Sequence, residues 1–188
     1  MTSNPLFDLS GKVAVITGGN GGIGLGCAKG LAAASASIAI WARDLEKSAS
    51  ALAELESMGV TAKAYQVDVK SEADLAWATA ETVKDFGGID ILIANAGVNI
   101  RMRPEKFTDE IIDEIIDVNI KAVFHCAQQV YPEMKKRGGG KIILIGSLTS
   151  VQGLGVASIY SATKGAVVQL GKSLAAAWGA DNLSLIHI

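Results

Sequence analysis

The chain has 188 residues, enough for one domain with a substantial core and too few for two. Apolar residues make up 49% of it and charged residues 19%, a balance that excludes a disordered or low-complexity chain. Seventeen basic residues against nineteen acidic ones give a formal charge of -2, and no basic run exceeds Lys135-Lys136-Arg137, so nucleic acid is not an expected partner.

Cys27 and Cys126 are far apart and show no Cys-x-x-Cys spacing, which points away from disulfides and zinc and toward a reducing cytoplasm. Residues 1–10 carry Asp8 and no apolar stretch of signal-peptide length, so secretion is not expected. The run 23–42 is almost uncharged, and Gly22, Gly26 and Gly30 mimic a membrane-helix packing face. Ser35 and Ser37 divide it into a helix and a strand, so no membrane span is expected.

In chain order, residues 12–17 (Lys-Val-Ala-Val-Ile-Thr) predict a strand, 18–24 a glycine turn, and the following Ala-rich segment a helix to about Ala34. A second strand is predicted over 38–41, a helix capped by Asp44 runs to about Met58, and a third strand covers 63–67. Ser71-x-x-Asp74 opens the next helix as a capping box. A fourth strand at 89–94, one long helix from Thr108 to about Lys136, a fifth strand at 141–145 and a helix over 158–178 complete the series. Near-continuous apolar strands alternating with helices predict an α/β fold, a doubly wound parallel sheet in order 3-2-1-4-5.

The turn satisfies Gly-x-Gly-x-x-Gly through Gly19, Gly21 and Gly24, and Thr-Gly-x-x-x-Gly-x-Gly through Thr17, Gly18, Gly22 and Gly24. Both patterns let backbone N–H groups approach a pyrophosphate at the positive end of the first helix. Asp44, twenty residues past Gly24, is where an acid can bond a ribose hydroxyl, but its place at the start of Asp-Leu-Glu-Lys favours a helix cap. Arg43 comes first after the strand tip, where a guanidinium can meet a 2'-phosphate, so NADP is favoured over NAD. Asp68 can bond adenine or simply enter the next helix.

Two Tyr-x-x-x-Lys pairs occur, Tyr160 with Lys164 and Tyr131 with Lys135. Pro132 biases Tyr131 away from helical geometry, and Lys135 opens a charged cluster before a triple glycine, so that pair is expected to be solvated surface. Tyr160 and Lys164 lie within a helical pattern and share a face. Carbonyl reduction by hydride transfer needs a proton donor, and an ammonium beside a phenol stabilises the phenolate. Ser147 leaves the fifth strand thirteen residues before Tyr160, where its hydroxyl can hold a substrate oxygen or serve only the loop. Asn119 shares a stripe with Ile112, Ile116 and Val123, so its amide needs partners from the backbone or from a water in a proton path. His125, with no second His or acidic cluster beside it, is read as structural.

Thr17-Gly-Gly-Asn-Gly-Gly-Ile-Gly24, Asp68-Val69, Ala94-Asn-Ala-Gly97, Asn119, Ser147 and Tyr160-Ser-Ala-Thr-Lys164 together resemble the short-chain dehydrogenase/reductase family over residues 8–182. The resemblance implies a Rossmann-type fold with Tyr160 as general acid/base, and with Lys164 favouring its phenolate and binding the nicotinamide ribose. Ser147 would orient the substrate oxygen and Asn119 would hold a relay water. Gly18, Asn20, Gly22, Ile23, Gly24, Arg43, Asp68, Val69, Asn95, Ala96 and Gly97 would contact the dinucleotide. Two departures stand out and neither removes a catalytic group: Ala94 where the family often has Asn, which bears on local bonding near the adenosine ribose, and Ser35 where a glycine usually ends the first helix, expected to strain a turn.

The segments Phe7-Asp-Leu-Ser-Gly-Lys12 and Asn99-Ile-Arg-Met-Arg-Pro104 resemble members acting on sugars or sugar acids, such as glucose and 2-deoxygluconate dehydrogenases. The implied function is hydride transfer between NADP or NAD and a secondary alcohol or ketone. The alternatives are reduction of a 3-oxoacyl thioester of acyl carrier protein and a nucleotide-binding but silent fragment. A homotetramer is implied as well. Family members continue with further strands and a substrate-covering helix, so residues 1–182 are expected to form an incomplete domain lacking its C-terminal strands. Leu183-Ser-Leu-Ile-His-Ile188 alternates as a sixth strand would and could pair with the fifth, but it also matches one reading frame of a transposon-end sequencing adapter, so residues 183–188 are expected to be a non-native tail. The fifth strand would then be an exposed, aggregation-prone sheet edge, and the chain inactive.

Overall fold

The computed structural model describes residues 5–187. Five predicted strands appear as β1 (Val13–Thr17), β2 (Ser37–Ala42), β3 (Ala62–Gln66), β4 (Ile91–Ala94) and β5 (Gly140–Leu144). A sixth, β6 (Leu183–His187), joins them in a sheet of order β3-β2-β1-β4-β5-β6, with every adjacent pair parallel. The predicted order therefore stands and extends by one strand.

β6 corrects one expectation. Residues 183–187 pair in the sheet as their strand-like alternation allows, and residue 188 lies outside the described residues. β5 is consequently an inner strand paired from Gly140–Leu183 to Leu144–His187. The physical reason is the alternation Leu-Ser-Leu-Ile-His, which offers Leu183 to the core while its backbone satisfies the open edge of β5.

Helices α1 (Gly22–Ala33) and α2 (Leu45–Glu56) pack on one face through Ala28, Ala32, Ala51 and Leu55, against Ile16, Ile38 and Ile40. On the other face, α3 (Glu72–Phe86), α5 (Ala122–Lys136) and α6 (Ser158–Trp178) cover Val15, Leu92, Ile142 and Leu144. β1 and β4 are buried throughout, as both-face coverage of parallel strands requires. Ser71 caps α3 by accepting from the Asp74 N–H, as predicted.

The single long helix expected from Thr108 is two helices, α4 (Asp109–Ile116) and α5, joined by a π-helical turn over Asp117–Lys121. A π-turn inserts residues without ending the helix, so the apolar periodicity runs through it unmarked. Pro132 does not divert Tyr131 from helical geometry either, because α5 continues past it to Lys136. Among the described residues no helix is long and apolar enough to cross a membrane, and no three His, Cys, Asp or Glu side chains gather as metal ligands.

Candidate active site

Between β1 and β4 the chain switches direction across the sheet, and the carboxyl ends of the strands open into a cleft of about 330 Å³. Gly18 leaves β1 in a left-handed conformation, φ +63°, with its N–H donating to the Trp41 carbonyl at 2.8 Å. A Cβ on Gly24 would collide with the Gly18 carbonyl oxygen and the Asn95 amide, so α1 approaches the β4 loop only because that side chain is missing. Gly21, at the N-cap of α1, contributes no side-chain bond, which leaves the first turn uncapped. A dinucleotide pyrophosphate fits such a turn, because the positions where side chains would obstruct it are glycines.

Thr17 is a site-forming residue that pattern reading assigned only to the motif. Its buried Oγ1 accepts the N–H groups of Asn95 (3.0 Å) and Ala96 (2.9 Å), and Asn95 Nδ2 donates to the Thr17 carbonyl at 3.0 Å. These bonds strap the β4 loop to β1. Ala94 does not leave the loop loose, since it ends β4 as a buried residue and Asn95 makes the connection.

Asn20 donates through Nδ2 to the Asp44 carbonyl (3.2 Å) and Ser48 Oγ (3.1 Å), tying the turn to the start of α2. Asp44 is the α2 N-cap, its carboxylate accepting from the Lys47 N–H at 2.9 Å, which agrees with the cap reading. Arg43, Asp68, Val69, Ala96 and Gly97 line the cleft. Asp68 Oδ1 accepts the Lys70 N–H at 3.0 Å, and the Asp68 N–H donates to Asp74, so it serves the entrance of α3 as well as the cleft. Ile23, by contrast, is 68% exposed at the start of α1. Lys47 also lines the cleft, a residue that the motifs did not point to.

The candidate catalytic side chains meet at the same edge of the sheet. Tyr160 is half-buried in the first turn of α6, and Lys164 one turn later holds its Nζ 5.7 Å from the Tyr160 ring centroid. Lys164 is buried and donates to the Ile145 carbonyl at 2.6 Å, and burial pushes its ammonium below the usual 10.5. Ser147 lies at the head of a short 3-10 turn, its Oγ accepting from the Thr149 N–H (3.1 Å) and Thr149 Oγ1 (3.0 Å). Ser150 docks that turn on α6 by donating to the Lys164 carbonyl at 2.9 Å.

Asn119 sits on the π-turn, fully buried, and finds its partners in the protein. Oδ1 accepts the Val98 N–H at 2.9 Å, while Nδ2 donates to the Val98 carbonyl (2.8 Å) and to Thr163 Oγ1 (3.3 Å). Thr163 in turn donates to the Tyr160 carbonyl at 2.7 Å, linking Asn119 to the tyrosine's own helical turn. A Cβ on Gly97 would stand 3.1 Å from Asn119 Oδ1 and 3.8 Å from Lys164 Nζ, so the glycine keeps open a space between those two groups.

In the second Tyr-x-x-x-Lys pair Lys135 is exposed, as expected of surface, whereas Tyr131 is half-buried and both side chains are engaged. Tyr131 stacks on Trp178 at 4.5 Å and donates to Asp181 at 2.6 Å, and Asp181 also binds Lys135 at 2.9 Å. The triad ties the end of α5 to the turn that leads into β6, far from the cleft.

Comparison with known proteins agrees with this geometry. A short chain dehydrogenase family model matches residues 12–188. A gluconate 5-dehydrogenase of Gluconobacter oxydans (strain 621H) is 38% identical over 185 residues, covering 98% of this chain and 72% of the relative. A gluconate 5-dehydrogenase from Burkholderia cenocepacia J2315, solved in complex with NADP and tartrate, superposes with a TM-score of 0.91 at 38% identity, covering 96% of this chain and 71% of that one. An NAD+-bound xylitol dehydrogenase superposes with a TM-score of 0.92 at 29% identity, covering 95% and 69%. Since the family match runs through glycine turn, Asn119, Ser147 and the Tyr160–Lys164 pair alike, the chain belongs to the short-chain dehydrogenase family.

Proposed function

We propose that this protein moves a hydride between a nicotinamide dinucleotide, NADP in preference to NAD, and a secondary alcohol or ketone of a sugar or sugar acid. The observation that carries the reading is Lys164, a cation 3% exposed with no carboxylate beside it among the described residues, held one helical turn from Tyr160 at the open edge of the sheet. A buried unpaired cation opposes folding, so its place is accounted for by chemistry rather than by stability. The sugar-acid class is supported by the gluconate 5-dehydrogenases at 38% identity. The cofactor preference rests on Arg43 at the tip of β2.

A nicotinamide dinucleotide held along the glycine turn and the cleft lined by Arg43 and Asp68 would supply or accept the hydride. Tyr160 then gives a proton to the substrate oxygen in reduction and takes it back in oxidation. Ser147 Oγ accepts two bonds from Thr149, leaving its own O–H to donate to that oxygen and hold it beside the phenol. Lys164, one helical turn away, stabilises negative charge on Tyr160. The space that Gly97 leaves between Asn119 Oδ1 and Lys164 Nζ is where a relay water would complete the path. The reading extends to a homotetramer in the cytoplasm, supported by family resemblance and by the half-buried Ile112 and Ile116 on α4.

The test is an assay of the purified protein with gluconate and with ketoses, following the absorbance of reduced nicotinamide with each dinucleotide. Turnover is expected with NADP at the higher kcat/KM, and Arg43→Ala narrows the difference. A tenfold or larger preference for NAD, about 1.4 kcal/mol the wrong way, overturns the Arg43 assignment. Turnover of a 3-oxoacyl thioester with none of any sugar overturns the substrate class.

A further inference from the structure

We infer that Lys47 supplies a second cation for the 2'-phosphate of the bound dinucleotide, delivered from α2 to the glycine turn that carries no charge of its own. The inference rests on the cofactor reading above and concerns a residue which that reading leaves out. Lys47 Nζ lies 2.6 Å from the point where a Cβ on Gly21 would stand, so the ammonium occupies the space over the turn that a side chain there would take. It shares the cleft with Arg43, and among the described residues neither side chain meets a carboxylate.

Two features show that this placement is specific. Lys47 is the third residue of α2, where the positive end of the helix disfavours a cation and an acid would serve the fold better. Its backbone is nonetheless fixed by the Asp44 cap at 2.9 Å, and Asn20 binds the turn to the same helix start at 3.2 Å, so the ammonium and the turn are held in register. Asp44 therefore acts as a positioning residue, its charge met by the helix N-terminus instead of by a ribose. Two unpaired cations on the β2 side of the turn suit a dianion attached to the adenosine ribose. A pyrophosphate would bind at the start of α1 instead.

The experiment is calorimetric binding to the whole chain, with adenosine 2',5'-bisphosphate against 5'-AMP and NADP+ against NAD+, and needs no turnover. Lys47→Ala and Lys47→Gln are expected to weaken both 2'-phosphorylated ligands by about tenfold, roughly 1.4 kcal/mol, while 5'-AMP and NAD+ change less than twofold. Lys47→Arg keeps the tight binding, and the salt dependence of NADP+ affinity becomes shallower in the Ala variant. Equal weakening of NADP+ and NAD+ overturns the inference in favour of a pyrophosphate contact, and unchanged binding of all four ligands overturns it outright. A wild-type chain that binds NADP+ no more tightly than NAD+ overturns it together with the Arg43 assignment. One that binds no adenosine nucleotide overturns the cofactor reading itself.

Discussion

Tyr160 with Lys164 and Tyr131 with Lys135 share one spacing and one helical geometry, yet the protein gives them opposite electrostatic surroundings. The first pair stands where α6 starts, at the carboxyl edge of the sheet, with a buried ammonium and, among the described residues, no acid beside it. The second stands where α5 ends, at the amino edge, with Asp181 bonded to both members. Asp181 holds the Tyr131 phenol above its ordinary 10.0 and Lys135 above 10.5, so each keeps its proton. Burial moves Lys164 the other way. An identical pattern is thus a clasp at one end of the sheet and, on the function proposed above, a proton-handling site at the other, and the deciding variable is the presence of a carboxylate.

The largest test of that contrast is Tyr160→Phe, expected to lower kcat by about 10²-fold or more with dinucleotide affinity unchanged, since only a transferable proton is lost. Tyr131→Phe should leave kcat within about twofold and lower Tm slightly, through one lost hydrogen bond. Equal losses of kcat in the two variants would break the distinction.

The carboxyl edge is next tested at Gly24. Gly24→Ala is expected to cost on the order of 1–3 kcal/mol and to weaken binding of both dinucleotides, because the methyl group meets the Gly18 carbonyl and Asn95. Chemical denaturation and calorimetry read the two effects, and an alanine variant of unchanged stability would show that the close packing of α1 on the β4 loop is not required.

The clasp should show itself through pH. Asp181 is held below its ordinary 3.8, so its contribution is present above that value and lost as the pH falls through its lowered one. Tyr131 is held above its ordinary 10.0, so its contribution is present below that value and lost as the pH rises through its raised one. Asp181→Asn should therefore lower Tm between about pH 4 and pH 10 and converge with the parent outside that window, as thermal melts across the range would read. A deficit that is constant with pH would mean that the Trp178 stacking, rather than the charges, holds the clasp.

The smallest effect is expected at Ser35, in the turn between α1 and β2, also at the amino edge. Its φ is +73°, a left-handed backbone that a β-carbon disfavours. Ser35→Gly should raise stability by about 0.5–1 kcal/mol in denaturant titration with kcat unaltered, which sharpens the separation between the two edges. A destabilised variant would show that unfolded-state entropy outweighs the relieved backbone.

Much of the fold follows from short-range pattern. Unbroken apolar strands, Asp44 and Ser71 as caps, and the order of elements predict the sheet as far as β5, because burial on both faces writes itself directly into composition. The placement of Tyr160 and Lys164 on one helix and of the glycine turn between β1 and α1 was equally legible, since helical spacing and a strand-to-helix turn fix local geometry. The π-turn was not, because one inserted turn leaves the apolar stripe intact. Nor was the clasp, whose Tyr131 and Asp181 are fifty residues apart.

The sequence by itself determined the sheet's order through β5, the bare glycine turn and which side chains are able to handle a proton, all consequences of neighbours along the chain. Only the tertiary structure decided that β6 closes the β5 edge, that Thr17 and Asn119 spend their polar groups strapping the loop beyond β4, and that Lys47 lies over Gly21. Each of these joins residues distant in sequence, where backbone hydrogen bonding and the cost of unpartnered buried groups select the contact, and no local pattern records that choice.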